Sequence, residues 1–267
     1  MNYFNDDETR LFAESVLALP RDCDLQVIIV DNSASFIVDG MPLNCSVHRP
    51  SQNLGYFGAA SWALDNYLER SNEIPDFVIV ANTDIEFEGQ GFFEQLRKFS
   101  EVPDVGVIAP SVISDTYHLD QNPYMLHEPS KVYALTRMWI FQYPLCFSVF
   151  QRLASLKKKI KRLVERDAPI KTDCCCIYAP HGSFVVFTRV YFELGGSLSH
   201  PFFLYGEEIF VANTVKRLGL RVLYAPSLRL LHREHSTTSK IDMQTKSKHA
   251  YQSAKYLYAV LRTDDVR

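Results

Sequence analysis

Four polar points in this sequence end apolar runs with groups able to do chemistry: Asp31, Asp84, the pair Glu207-Glu208, and His232. Asp84 and His232 offer a carboxylate and an imidazole, which suit Mn2+. Mg2+ needs only one or two protein carboxylates beside phosphate oxygens. A divalent cation held there would neutralise charge building on a leaving diphosphate. Glu207 and Glu208 open a helical pattern, where the helix dipole favours a carboxylate. Their structural reading is helix capping; their functional reading is a general base. Asp31 has a structural reading too, as a turn former behind a strand. Asn53 and Gly55 open a turn at which backbone can approach a nucleotide closely. The pattern is neither a GxGxxG dinucleotide fingerprint nor a P-loop with its lysine.

The elements that must position these groups follow from hydrophobic patterning. The run "FVIVA" (77–81) lacks polar alternation, so it reads as a strand buried on both faces, delivering Asn82, Thr83 and Asp84 at its end. In an open α/β sheet that end is where ligands bind. "LQVIIVDNSAS" (25–35) is a second such strand, ending in Asp31-Asn32-Ser33, and "CSVHRPS" (45–51) a third, short one. "VGVIAPSVI" (105–113) reads as a strand; "DETRLFAESVLAL", the segment after Gly55 and "GFFEQLRKFS" read as helices. This alternation predicts a mostly parallel central sheet with helices on its faces. The pattern breaks over 114–170, an insertion dense in aromatics at 138–150, then basic. Leu153, Leu156, Ile160 and Leu163 make one apolar stripe there. Seven basic residues and one acidic residue lie between Arg152 and Arg166. That helix reads either as a solvated surface helix or as one that lies on a membrane. Order returns with "HGSFVVFTRVYFELGG" (181–196), a strand and a helix. A helix follows from Glu207 to Gly219. Then come a strand, a proline turn and a second strand ending at His232. One α/β domain over 1–240 and a helical, Tyr-rich tail over 241–267 result.

Composition narrows the class. The chain has 267 residues, 47% of them hydrophobic, enough for a sizeable core. A net charge of −3 argues against nucleic acid as a partner. No apolar run reaches the length of a membrane span, and the polar, acidic opening does not read as a secretory signal. The six cysteines include no CxxC pair, so zinc is not expected. They read as reduced thiols of a cytoplasmic protein, with the triplet Cys174-Cys175-Cys176 as packing.

The order of the motifs resembles family 2 glycosyltransferases of the GT-A fold, in particular the rhamnosyl- and galactofuranosyltransferase-like branch that builds bacterial surface polysaccharides. The resemblance runs through nearly the whole chain. "VIIVDNSAS" is similar to a family strand followed by Asp-Asn-x-Ser, which implies that Asp31, with Asn32 beside it, contacts the nucleotide base. "NLGYFGAAS" resembles the segment lining the nucleotide pocket, with Asn53 and Gly55. "VANTDIEF" matches the Asn-x-Asp form of the metal-binding DxD motif, with Asn82 and with Asp84 as metal ligand. "HGSFVVFTR" resembles the strand beside the acceptor site. "GGSLSHPFFLYGEEIF" resembles the segment whose second acid is the base, which carries that role to Glu208 with Glu207 as neighbour. "PSLRLLHREHS" matches the late histidine of the metal shell, His232. The sequence departs from the pattern in four places. Glu-Glu replaces Glu-Asp, Phe210 stands where a further acid is usual, and Ser61 stands where an Asn often closes its segment. Finally, "NYFNDDET" begins at the family's Tyr-Asn, so the usual first strand is expected to be missing.

The resemblance implies a metal-dependent, inverting transfer from a UDP- or dTDP-sugar, with Mg2+ or Mn2+ as cofactor. The acceptor would be a glycan or a lipid-linked glycan at the inner face of the cell membrane, and the Arg152–Arg166 helix a peripheral membrane contact. Two alternatives are a nucleotidyltransferase that makes activated sugars, which would release pyrophosphate, and a non-catalytic nucleotide-sugar-binding homologue, which would bind donor without turnover.

Overall fold

The computed structural model describes residues 1–42, 44–164, 173–234 and 242–263, with the side chains of 163, 164 and 263 outside that description. In chain order the elements are α1 (Asp6–Ala18), β1 (Val27–Val30), β2 (Cys45–His48), α2 (Tyr56–Ser71), β3 (Phe77–Ala81), β4 (Ile85–Phe87), α3 (Phe92–Arg97) and β5 (Val105–Ser114). Then follow α4 (Lys131–Phe141), α5 (Pro144–Val164), β6 (Cys175–Ile177), β7 (Phe184–Thr188), α6 (Arg189–Glu193), α7 (Glu207–Arg217), β8 (Arg221–His232) and α8 (Met243–Thr263).

The fold is mixed α/β, a central sheet flanked by helices, as expected. Strands run β3-β7-β5-β8-β4, with β6 also paired to β8. Period-2 alternation sends successive side chains of the central strands to opposite faces. Val107, Ala109, Val185 and Phe187 join Phe57 of α2, Tyr191 of α6 and Val211 and Val215 of α7 on one face. Ile108, Val112, Phe184 and Val186 join Phe92, Phe93 and Leu96 of α3 on the other, with Val16 of α1. Both faces are covered, which is why these strands read as unbroken apolar runs. A side chain such as Phe187, with no exposed surface, contributes about 1.5–3 kcal/mol by burial alone.

Strand direction corrects the expectation of a mostly parallel sheet. Among the strands of the described residues only β5 with β8 and β1 with β2 pair parallel; β3–β7, β5–β7, β4–β8 and β6–β8 are antiparallel. An apolar run buried on both faces looks the same in either direction, so the pattern could not distinguish them. The strand, proline turn and strand expected over 221–232 are one strand, β8. Its register against β5 jumps from Ala225 to Arg229 across Pro226, so the proline sits in a bulge.

β1 and β2 form a separate two-stranded sheet. Among the described residues no strand joins β1 to β3. Asn2 bridges to Asp31 in parallel fashion, its N–H donating to Val30 O and its O accepting from Asn32 N, both at 2.9 Å. The insertion folds as the helices α4 and α5, and both pack on the tail helix α8. Leu257 and Leu261 of α8 meet Ala134 of α4 and Ile209 of α7. The boundaries expected at 170 and 240 fall outside the described residues, as do Glu165, Arg166 and His235. All three residues of the cysteine triplet are exposed, which overturns the packing reading.

Candidate functional site

A cavity of about 570 Å3 opens where β1, β3, β7 and the N-terminus of α7 converge. Asn32, Asn53, Gly55, Asn82, Asp84, Glu207 and Glu208 all line it. Seven of the nine residues singled out in the sequence are thus brought to one cavity from four separate segments. Asp31 and His232 stand outside its wall, for different reasons.

Sheet register places Asp84. The antiparallel pairing of β4 with β8 puts Ile85 opposite His232, and Arg233 N donates to Asp84 O at 2.9 Å. Asp84 therefore lies beside the imidazole, with His232 Nε2 3.2 Å from Asp84 Oδ1 and both side chains only 10% exposed. That approach lacks the direction of a hydrogen bond, for Asp84 Oδ1 is buried without a hydrogen-bond partner. The other ring nitrogen is engaged. His232 Nδ1 lies 2.7 Å from Gln121 Oε1, and Gln121 Nε2 donates to Glu234 Oε1 at 2.8 Å. Glu234 Oε2 accepts from Ser114 Oγ at 2.8 Å. With the Gln121 amide oriented by Glu234, Nδ1 donates to Gln121, and in the neutral ring Nε2 presents a lone pair towards Asp84. A buried carboxylate oxygen with no donor, facing an imidazole lone pair, is unfavourable as it stands. Those two atoms fit a divalent cation. Among the described residues no group of three or more His, Cys, Asp or Glu side chains could hold a metal. Further ligands would have to come from a bound anion and water, as phosphate-bound Mg2+ sites allow.

Asp31 has the opposite fate. It is 1% exposed, and its carboxylate accepts from Asn2 Nδ2 (2.9 Å), Ser33 N (3.1 Å), Ser33 Oγ (2.6 Å) and Phe36 N (2.9 Å). Arg49 Nε lies 3.3 Å away. Burial pushes its pKa up, but the donors from Ser33, Phe36 and Asn2 outweigh it and hold the pKa below its ordinary value. Asp31 is not among the residues that line the cavity, and these lone pairs organise the loop behind β1. Asn32 is the residue that reaches the cavity. Its Nδ2 donates to Gly55 O at 3.1 Å and its Oδ1 accepts from Leu54 N at 3.2 Å, pinning the turn before α2. Asn53 Oδ1 accepts from Gly55 N at 2.9 Å. Gly55 has φ of +73°, and a Cβ there would stand 2.5 Å from Phe203 O. Only glycine lets the turn and the 203–205 segment close on one another.

The glutamates are aimed by a sharp elbow. Tyr205 and Gly206 both have positive φ, 67° and 93°, before α7 starts at Glu207. Glu207 is buried, and its pKa is pushed up to about 8, first by burial and then by the neighbouring charge of Glu208. Burial raises Glu208 as well, against backbone N–H donors that include Gly182. A Cβ on Gly182 would come within 3.1 Å of Glu208 Oε1, so the carboxylate rests directly on that backbone. Two carboxyls with raised pKa in one cavity are the arrangement expected of acid–base work.

Several contributors carry weak sequence signals. His181 lines the cavity, its ring 5.9 Å from that of His232. Burial, then His232, lowers its pKa to about 3, so it stays neutral. Asn122 Oδ1 accepts from His181 N at 2.7 Å and holds it in place. Gln121 and Glu234 orient His232. The only hint in the sequence is the polar cluster "DQN" behind an apolar strand. Glu208 and Tyr205 also line a second cavity of about 330 Å3, walled by Tyr124, Tyr133, Arg137, Phe141, Phe147 and Phe150. The Arg137 guanidinium lies 4.1 Å from the Phe150 ring centroid and 4.8 Å from that of Tyr133. Glu208 thus stands at the junction of a polar cavity and an aromatic one.

No protein-family model matches this chain, and no curated protein matches its sequence. Among solved structures, GalNAc-T7 with UDP, GalNAc and Mn2+ aligns at 14% identity and TM-score 0.48, over 82% of this chain and 40% of that one. This chain therefore spans well under half of that neighbour's length. The mannosyltransferase PcManGT from Pyrobaculum calidifontis, in complex with GDP-Man and Mn2+, aligns at 12% identity and TM-score 0.47, over 98% of this chain and 71% of that one. Both scores lie below 0.5, and neither likeness carries weight for function.

Proposed function

We propose that this chain is a GT-A-type glycosyltransferase that moves a sugar, with inversion, from a UDP- or dTDP-sugar to an acceptor hydroxyl. The observation that carries the reading is the orphaned Asp84 Oδ1 facing His232 Nε2 in the neighbourhood of a carboxyl with raised pKa. Asp84 and His232 hold Mg2+ or Mn2+, which supplies charge neutralisation on the leaving diphosphate. Asn32, Asn53, Gly55 and Asn82 bind the nucleotide, and Asp31 acts behind them by shaping the loop. Glu208, at the junction of the cavities, takes the proton from the acceptor hydroxyl. Glu207, beside it, raises the proton affinity of the pair through charge repulsion. The aromatic cavity takes the acceptor, since aromatic walls favour the apolar faces of sugar rings or of an attached aglycone. The acceptor is a glycan or a lipid-linked glycan of a surface polysaccharide.

Glu208→Gln tests the base. The amide keeps the shape and loses the proton-accepting charge, so donor affinity is expected to persist while transfer falls about 10²- to 10⁴-fold. Undiminished transfer by Glu208→Gln would remove the base assignment.

A further inference from the structure

The apolar stripe of α5 faces outward. Leu145, Val149, Leu153, Leu156 and Ile160 recur at steps of 4, 4, 3 and 4, which places them on one side of the helix. They are 77, 48, 60, 52 and 53% exposed. The opposite side makes the contacts with the body. Phe147 is buried, Ser155 Oγ lies 3.0 Å from the Tyr117 hydroxyl, Lys158 sits over the Tyr117 ring and Arg162 donates to Thr116 O. α4, packed beside α5, adds Val132, Leu135 and Trp139 at steps of 3 and 4, with Val132 and Trp139 each 71% exposed. A helix of a water-soluble monomer turns its apolar side inward; this hairpin does the reverse, and an exposed apolar face of this extent marks an interaction surface.

The charge around the face identifies the occupant. α5 contains six Lys or Arg residues and no Asp or Glu. By the 3.6-residue period, Arg152 and Lys159 border the stripe on one side and Lys157 on the other, and all three are exposed. An apolar ridge between cations matches the boundary between anionic headgroups and acyl chains. A second copy of this chain is a poorer partner, because a two-fold contact would bring the same basic edges together. Among the described residues no helix is long and apolar enough to cross a membrane. We propose that the α4–α5 hairpin seats the protein on an anionic lipid leaflet, the stripe in the acyl boundary and the bordering cations on lipid phosphates. The inference does not depend on sugar transfer, because nucleotide binding can be measured without lipid.

Flotation with vesicles of phosphatidylcholine, with and without phosphatidylglycerol, tests it. The expected result is uptake only by the anionic vesicles, weakening as salt rises. Two double variants, Leu153→Gln with Leu156→Gln and Lys157→Gln with Lys159→Gln, should each lower uptake about tenfold or more. Their side chains are exposed, so unchanged melting confirms that the fold is intact. No uptake by either vesicle, or uptake that neither double variant lowers, would overturn the proposal. So would a concentration-dependent dimer in sedimentation that the leucine variants dissolve while vesicles capture nothing, since the face would then be a protein interface.

Discussion

Asp31 and Asp84 show how one sequence pattern can serve two ends. Each closes an apolar run, and nothing within either run distinguishes them. The difference lies in what the following residues donate. Ser33 and Phe36 supply N–H and O–H groups that saturate Asp31, whereas the chain turns from Asp84 straight into β4 and leaves Oδ1 without a donor. The same scale holds a pH prediction. Glu207 is raised from an ordinary 4.5 to about 8 by burial, then by Glu208. Across that window the folded chain keeps a proton that the unfolded chain has released, so Glu207 lowers stability as pH rises through it. His181, lowered by burial and His232, works in the opposite sense below its ordinary 6.5. Comparison with Glu207→Gln removes that contribution. Relative to the variant, the wild type is expected to lose urea resistance as pH is raised from 4.5 to 8; parallel pH profiles would contradict the assignment. The pair's carboxylates were legible in the sequence. Their perturbation was not, because it comes from burial by residues distant in the chain.

At the scale of the element, periodicity located the strands and helices but left orientation open. The direction of β7 and the outward face of α5 both depend on tertiary neighbours, which an apolar run or stripe does not encode. The proline at 226 read as a turn because a central strand excludes proline, but β8 accommodates it in a bulge. The element most directly tied to the site is the Tyr205-Gly206 elbow. Gly206 has φ of +93°, and a Cβ there would lie 2.5 Å from Ser253 Oγ of α8. Gly206→Ala is expected to cost about 1–3 kcal/mol in denaturant unfolding through backbone strain, with the clash added. Adding Ser253→Ala should recover part of the loss, by removing the hydroxyl but not the strain. A fully stable Gly206→Ala would show that the elbow relaxes freely.

At the scale of the molecule, the sheet gathers residues from β1, the turn before α2, the β3–β4 turn and the start of α7 around one cavity, and β8 sets His232 behind Asp84. The motif order carried that convergence in the sequence. The aromatic cavity beside Glu208 could not be read there, since it needs α4, α5 and α8 to pack together. The N-terminus links the two sheets, with Asn2 bridging to β1 and the Met1 amino group 3.5 Å from Ala81 O of β3, and Val27 of β1 packs into the core of the larger sheet. In the proposed reading the donor side rests on the Asp84–His232 pair, which is therefore the place to test it. The measurement is calorimetric titration of UDP and of dTDP into the purified protein, with and without Mn2+, repeated on Asp84→Ala. The account predicts binding that requires Mn2+ and is lost in the variant, with one nucleotide preferred. Binding that is indifferent to Mn2+ and survives in Asp84→Ala would contradict it, as would no binding of either nucleotide.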